Sequence, residues 1–412
     1  MFFDSYTLIA ILCILVILSY AYSVISKTTN IPSVLLLLGT GIAARIATDY
    51  WNLQIPFNSE VLTIFGTIGL ILIVLEGTLE LKITKDKTKV IRQTFFAALI
   101  ILIASSLLIA GGIKFVYPHF NFRVCLVNAI PMAVISSAIA IPSVANMVSH
   151  KKEFIIYESI FSDILGILLF NFIVYNDTFT GKSVEWIAFD FVTTIIVSAI
   201  FSILMIFFLD KTKMNIKFFL IIAILILLYA FGKAMHLSSL LLILIFGLVV
   251  NNIELFGKRR INKHINIDKI NQSLKEFETI TIESAFLIRT FFFVAFGFSL
   301  HLETIFRPKI LITGGIILAF LYFLRFIWLK YSLRSNLFPE LFIAPRGLIT
   351  ILLFYSIPQK YSIGVISEGV LFVVIIGTSL IMSAGIIGHQ NIIKSTSTPE
   401  LDNFLKKDKK TK

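Results

Sequence analysis

Charge is scarce in this chain. Of its 412 residues only 15% are Asp, Glu, Lys or Arg, against about 25% in an average soluble domain. Acids are the scarcer sign, 24 against 36 basic residues. Cysteine is nearly absent: Cys13 and Cys125 both lie in apolar stretches and offer neither a disulfide framework nor a thiolate metal site. They read as small packing residues. The six histidines, His119, His150, His236, His264, His301 and His389, lie at or near expected loops and show no ligand spacing. No Cys/His cluster, nucleophile elbow or phosphate-cradling glycine loop occurs. These absences argue against an enzyme, and no cofactor is expected. The first 26 residues lack a basic leader, so they read as a membrane span and not as a cleaved signal peptide.

What the chain has in abundance is apolar surface. Hydrophobic residues make up 57%, 40 of them Phe, and mean hydropathy is +0.93. The apolar residues come in blocks near the ~20 residues that cross a bilayer as helix. The ~10-residue alternating segments of a membrane barrel are missing. The expected fold class is an all-α polytopic membrane protein with thirteen transmembrane helices, at about 7–26, 31–48, 60–81, 94–117, 124–148, 154–175, 186–209, 216–235, 236–251, 281–300, 309–329, 338–357 and 365–387. The apolar run from Phe218 to Val250 would make ~50 Å of helix, too long for a ~30 Å core. The polar break at Gly232, Lys233 and His236 divides it.

Loop charge tests this count. Lys and Arg favour cytoplasmic loops. With thirteen spans, 25 of the 36 basic residues fall in one alternating set of loops and 6 in the other, and Arg45, Lys114, Arg289, Arg325 and Arg346 fall inside spans. This split fits an outside N-terminus and a cytoplasmic C-terminus. The net charge of +12 is then a topology signal and a source of attraction to the lipid bilayer; it does not indicate nucleic acid. The hydrophilic stretch 252–280 is expected to hold a short surface helix joining two halves. Residues 389–412 are expected to form a disordered basic cytoplasmic tail.

Charges inside spans carry the functional signal, because each costs ~2.5–3.5 kcal/mol at the bilayer centre even on a lenient scale. Lys114, Asp190, Glu283 and Glu340 lie near span ends, where long side chains reach the interface. Arg45 and Arg289 lie deeper without an obvious carboxylate partner. Glu76, Glu158, Asp163, Arg325 and Arg346 stand out. Glu158 and Asp163 share the sixth span. Five residues at 100° each place them about 140° apart around the helix, so they aim in different directions. One suits a fixed ion pair with a buried arginine, the other an aqueous ion site.

Two spans carry breaks. The fifth has Pro131 and Pro142 around Ser136 and Ser137; the twelfth has Pro345, Arg346 and Gly347 at its middle. Proline removes a backbone donor, and freed carbonyls at membrane depth are tolerated where they line a cavity. If spans 1–6 and 8–13 are two halves, these breaks occupy equivalent positions, as in transporters built from inverted repeats with a midplane site.

Here the segments resemble the monovalent cation:proton antiporter superfamily, nearest its sodium/proton exchanger branch. The likeness runs from about residue 30 to 388. ESIFSD at 158–163 resembles the branch's Glu-Ser-x-x-Asn-Asp motif, APRGLI at 344–349 its Arg-Gly motif in a broken twelfth span, and LEGTLEL at 75–81 its third-span pattern. HLSSLLLILIFGLVVNN at 236–252 and RTFFFVAFGFSL at 289–300 are similar to its ninth and tenth spans. The resemblance implies an inverted-repeat antiporter fold with broken crossing helices in spans 5 and 12. It implies a moving core of about 94–175 and 309–387, and a scaffold of about 7–81 and 186–300 that forms a homodimer, all within a transmembrane domain of residues 1–388. It implies that Asp163 alternately binds proton and metal ion, that Glu158 pairs with Arg325, that Arg346 stabilises the broken helix, and that Glu76 assists the ion site. Two departures bear on the cation. Ser162 replaces the usual Asn, and ISSAIAIP lacks the usual Asp before Pro, leaving Ser136, Ser137 and Ser162 as neutral oxygen ligands.

The expected function is exchange of protons for a monovalent cation, Na+ before K+ or Li+, one for one and electroneutral, in a bacterial inner membrane. The alternatives are a potassium/proton antiporter, a proton-coupled organic anion symporter using Arg289 or Arg346, and a non-transporting channel or sensor.

Overall fold

The computed structural model describes residues 5–29, 31–51, 59–81, 87–144, 147, 149–175, 192–204, 217–234, 239–252, 267–300, 305–332 and 338–408. The described residues are helical apart from turns, extended breaks and one 3-10 turn at Gln359–Tyr361. The helices in chain order are α1 Ser5–Thr29, α2 Ser33–Tyr50, α3 Ser59–Glu80, α4 Thr88–Val116, α5 Phe122–Ala133, α6 Ser137–Ser143 and α7 Ser149–Tyr175. They continue with α8 Val192–Leu204, then α9 Lys217–Ala234, α10 Ser239–Asn251, α11 Ile267–Ser299, α12 Pro308–Ser332, α13 Leu348–Tyr355 and α14 Glu368–Asp408. Each of the thirteen expected spans meets one of these helices, with α5 and α6 sharing the fifth. The protein is an all-α polytopic membrane protein. The apolar run from Phe218 to Val250 divides into α9 and α10, as its length requires.

Two ends differ from expectation. The polar residues before the tenth span do not form a separate surface helix: from Ile267 onward they are the first turns of α11, 33 residues long. No proline or glycine interrupts the chain between Ile267 and Phe296, so once nucleated the helix continues at little cost. Likewise the helix of the last span runs on to Asp408, through Pro399, where a disordered tail was expected. Residues 253–266, the rest of the expected surface helix, lie outside the described residues, as does Asp190.

Packing sorts the helices into two groups. In one, α11 packs along α2 and α3, α10 packs on α3 and α9, and α1 on α2. In the other, α4 packs on α5, α7 and α12, α6 on α7, α13 on α5, and α12 on α14. Contact between the groups is sparser, through α3 with α13 and α7, and α10 with α7.

The backbones of α2 and α11 cross closely. Without attraction between apolar helices in lipid, close backbone approach supplies the packing energy, and it needs small residues. Gly41 and Gly297 meet there: a Cβ on Gly41 would collide with the Val294 carbonyl oxygen, and one on Gly297 with that of Leu38. Neither backbone can yield without separating the helices. Gly41→Val is therefore expected to destabilise the solubilised protein by about 2 kcal/mol, the scale of overpacking. Gly39→Ala, on the same helix with nothing within 4 Å, is expected to leave it unchanged. Thermal unfolding followed by size-exclusion chromatography in detergent compares the two.

Candidate ion-binding site

The fifth span stops being helical at Val134, Ile135 and Ser136. Pro131 and Pro142 were expected to mark this break, yet both lie inside helices, α5 and α6. The reason is that the break is held from outside by neighbouring groups. In the twelfth span the break runs through 343–347, at Pro345, Arg346 and Gly347 as expected, but the segment ahead of it, 338–342, is turn and not a half-helix.

The two breaks touch. The Ser136 amide donates to the Pro345 carbonyl at 2.8 Å. Gly347 sits so close that a Cβ there would be 2.8 Å from Ser136 Oγ. Helix α7 supports the crossing with one face: Ser162 Oγ accepts from the Ile135 amide at 2.9 Å, Asp163 Oδ2 accepts from the Ser137 amide at 2.9 Å, and Gly166 leaves room for Val134. Gly166 lies three positions after Asp163 and four after Ser162, so it sits one turn beyond both on that side of the helix.

Two arginines satisfy the carbonyls released by the breaks. Arg346 donates to Met132 and Ala133 at the end of α5, at 3.1 and 3.2 Å, and to Ala344. A cation there also complements the negative end of α5. The Arg346 amide donates to Thr378 Oγ1 of α14 at 3.0 Å. Arg325 of α12 reaches the carbonyls of Glu340, Leu341 and Ile343. It also forms a two-pronged ion pair with Glu158, at 2.7 and 2.8 Å. Glu158 and Arg325 are each 1% exposed.

Asp163 is different. It is 5% exposed, and among the described residues its Oδ1 has no hydrogen-bond partner; nor does Ser136 Oγ. The Ser137 hydroxyl interacts with the same carboxylate. Beside Ser137 opens a cavity of about 490 Å³ lined by Ser137, Ala138, Glu76, Arg289, Glu283 and Lys152, among others. The two carboxylates of α7 have thus separated in surroundings, as their angular spacing required.

The chain matches the family "sodium/hydrogen exchanger, transmembrane" over residues 12–389. It belongs to that family, a family of transporters. Among the solved structures that share its fold are two of the sodium proton antiporter MjNhaP1 from Methanocaldococcus jannaschii. The one at pH 8 is 20% identical with a TM-score of 0.68, covering 93% of this chain and 99% of that one. The other, from electron microscopy, is 20% identical with a TM-score of 0.63, covering 93% and 95%. No curated protein matches the chain.

Within this exchanger fold, Asp163, Ser162, Ser136 and Ser137 come together at the crossing, with Glu158, Arg325 and Arg346 around it. Ser162, expected among ion ligands, has its oxygen on a backbone amide. Glu76, also expected there, places both oxygens 3.1 Å from Arg289 Nη2. Arg289, expected to lack a carboxylate, therefore has one. Its partner lies 213 positions away, beyond the reach of any local pattern. Arg45 also has a partner, Asp49 at 3.0 Å; that one was available from helical spacing alone, four residues on.

The burial of Arg325 and Glu158 gives a stability expectation. Removing one member of a buried pair strands the other, at about 3–5 kcal/mol. Arg325→Ala also strands three carbonyls, so it should lower the melting temperature in detergent more than Glu158→Gln, whose amide oxygen still accepts from Arg325. Equal melting temperatures for the two variants would contradict that ranking.

Proposed function

We propose that this exchanger trades H+ for a monovalent cation, Na+ first, by competition at Asp163. The observation that carries the reading is a nearly buried carboxylate with one oxygen held by the Ser137 amide and the other without a partner among the described residues. It stands where two broken segments meet beside a cavity. A proton or a cation can occupy the open oxygen, but not both. The Ser136 hydroxyl, also unpartnered among the described residues, and the Ser137 hydroxyl supply the neutral oxygens that a hard cation takes.

Coupling follows from charge. Either occupant neutralises the carboxylate, whereas an unpaired buried ion costs several kcal/mol. Movement of the site across the membrane is then favourable only when it is loaded. Glu158 does not enter the cycle, since Arg325 holds both its oxygens. One acid carrying one H+ or one Na+ gives one-for-one, electroneutral exchange. Ser162 in place of a second acid supports that stoichiometry.

The packing groups support a division into a moving core of α4–α7 with α12–α14 and a scaffold of α1–α3 with α8–α11, the rigid-body arrangement of alternating access. The family likeness supports a homodimer through the scaffold. Loop charge supports an outside N-terminus and a cytoplasmic C-terminus, and a bacterial inner membrane suits that arrangement. Potassium is the second cation in this reading, since all the ligands named are hard oxygens. An organic anion substrate has less support: Arg346 is occupied by carbonyls and Arg289 by Glu76.

Purified chain in proteoliposomes with an internal pH dye tests the proposal. Addition of Na+ should move protons in the opposite direction at a rate independent of imposed membrane potential. Turnover driven by potential would remove the electroneutral stoichiometry. Asp163→Asn should reach the membrane and melt near the unmutated protein, yet exchange at the level of empty vesicles. Wild-type rates in that variant would remove Asp163 from the mechanism.

A further inference from the structure

Helix α6 contains Pro142, which has no amide hydrogen for the Ala138 carbonyl one turn earlier. Arg289 of α11 fills that vacancy: its Nη1 donates to Ala138 O at 3.1 Å. Its Nη2 holds both oxygens of Glu76 on α3. One guanidinium therefore joins three elements: α3 and α11 of one packing group, and α6 of the other. Ala138 follows Ser137, whose amide holds Asp163. Glu76, Arg289, Ser137 and Ala138 all line the same cavity. The cavity reaches Ser137, the anchor of Asp163, so an ion entering by it would pass the Glu76–Arg289 pair.

The pair is also only partly withdrawn from solvent, with side-chain exposures of 11% for Arg289 and 14% for Glu76. Its charges act on the cavity as well as on each other. Glu76 alone would attract and retain cations beside the site. Arg289 alone would repel them. Together they cancel.

We propose that Arg289 is a positioning residue that sets the cation affinity of the exchange site, by cancelling Glu76 at the cavity wall and bracing the carbonyl of α6 next to the Asp163 anchor. This rests on Asp163 being the exchange site. Arg289 binds no transported ion; it acts through Glu76 and through the position of α6. Because the fork spans both packing groups, its contact with Ala138 belongs to the arrangement in which the cavity is open beside Ser137.

The test is a charge cycle in full-length protein reconstituted in proteoliposomes, reading KM for Na+ and kcat separately. Arg289→Gln should lower KM by about fivefold, since an uncancelled carboxylate then faces the cation path. Glu76→Gln should raise it by a similar factor, since an uncancelled guanidinium then faces that path. The double variant should return KM to within about twofold of the unmutated protein. Arg289→Lys keeps the charge but not the fork, so KM should stay within about twofold while kcat falls. A merely structural pair would lower kcat or yield in both single variants without opposite shifts in KM. An unchanged KM in Arg289→Gln, or shifts of the same sign in the two single variants, overturns the proposal. Should Arg289→Gln not reach the membrane, Glu76→Gln and Arg289→Lys decide it: an unchanged KM in the former, or a KM raised as far in the latter, overturns it. Failure of the underlying exchange reading is distinct. It would show as no Na+-dependent proton flux in the unmutated protein, or as undiminished flux in Asp163→Asn.

Discussion

A bilayer interior offers no water to a broken helix, so every amide and carbonyl released there needs a partner within the protein. This constraint organises the centre of the molecule. The amides of the first break go to Ser162, Pro345 and Asp163. The carbonyls at the end of α5 go to Arg346. Those ahead of the second break go to Arg325. Arginine suits this use because its planar fork presents five donors and stays charged when buried. Only Arg325 also carries a carboxylate, Glu158, while Arg346 relies on carbonyl dipoles and the end of α5.

One result of this accounting is a contrast between two acids five positions apart on α7. Glu158 has both oxygens on a guanidinium. Asp163 has one oxygen on an amide and the other open. The amide holding Asp163 is itself a group released by a break. Breaking the helix therefore does two things at once: it creates donors that need an acceptor, and it aims one of them at the acid that would bind the ion. An unbroken fifth span would have used the Ser137 amide within the helix, leaving the carboxylate without its anchor.

Much of this was readable in the residues. The number of spans followed from apolar block length and loop charge, and the different surroundings of Glu158 and Asp163 followed from their 140° separation. The position of the first break was only bracketed, because proline marks where a helix can yield, while the neighbours Ser162, Asp163 and Pro345 determine where it does. The partners of Arg289 were illegible for a different reason. Glu76 lies 213 positions away and Ala138 lies 151 away, and nothing in local pattern links them. Asp49 beside Arg45 was a local signal of the ordinary kind, four residues apart. The length of α11 was hidden by composition: a polar stretch and an apolar one read as two elements, although no residue between them stops a helix.

The distribution of these contacts bears on how such a site could move. The ties among Ser136, Pro345, Ser162, Asp163, Glu158, Arg325 and Arg346 join only α5, α6, α7, α12, α14 and the two breaks. All lie within one packing group, so that group can shift as a body without breaking any of them. The other group supplies a cavity wall through Glu76, Glu283 and Arg289, and Arg289 reaches across to Ala138. A site assembled wholly inside one body keeps its ligands through a rocking movement, while its exposure to water depends on the wall beside it. In such a movement the strong interactions would persist, and the Arg289 hydrogen bond to the carbonyl that Pro142 left vacant would be a contact exchanged.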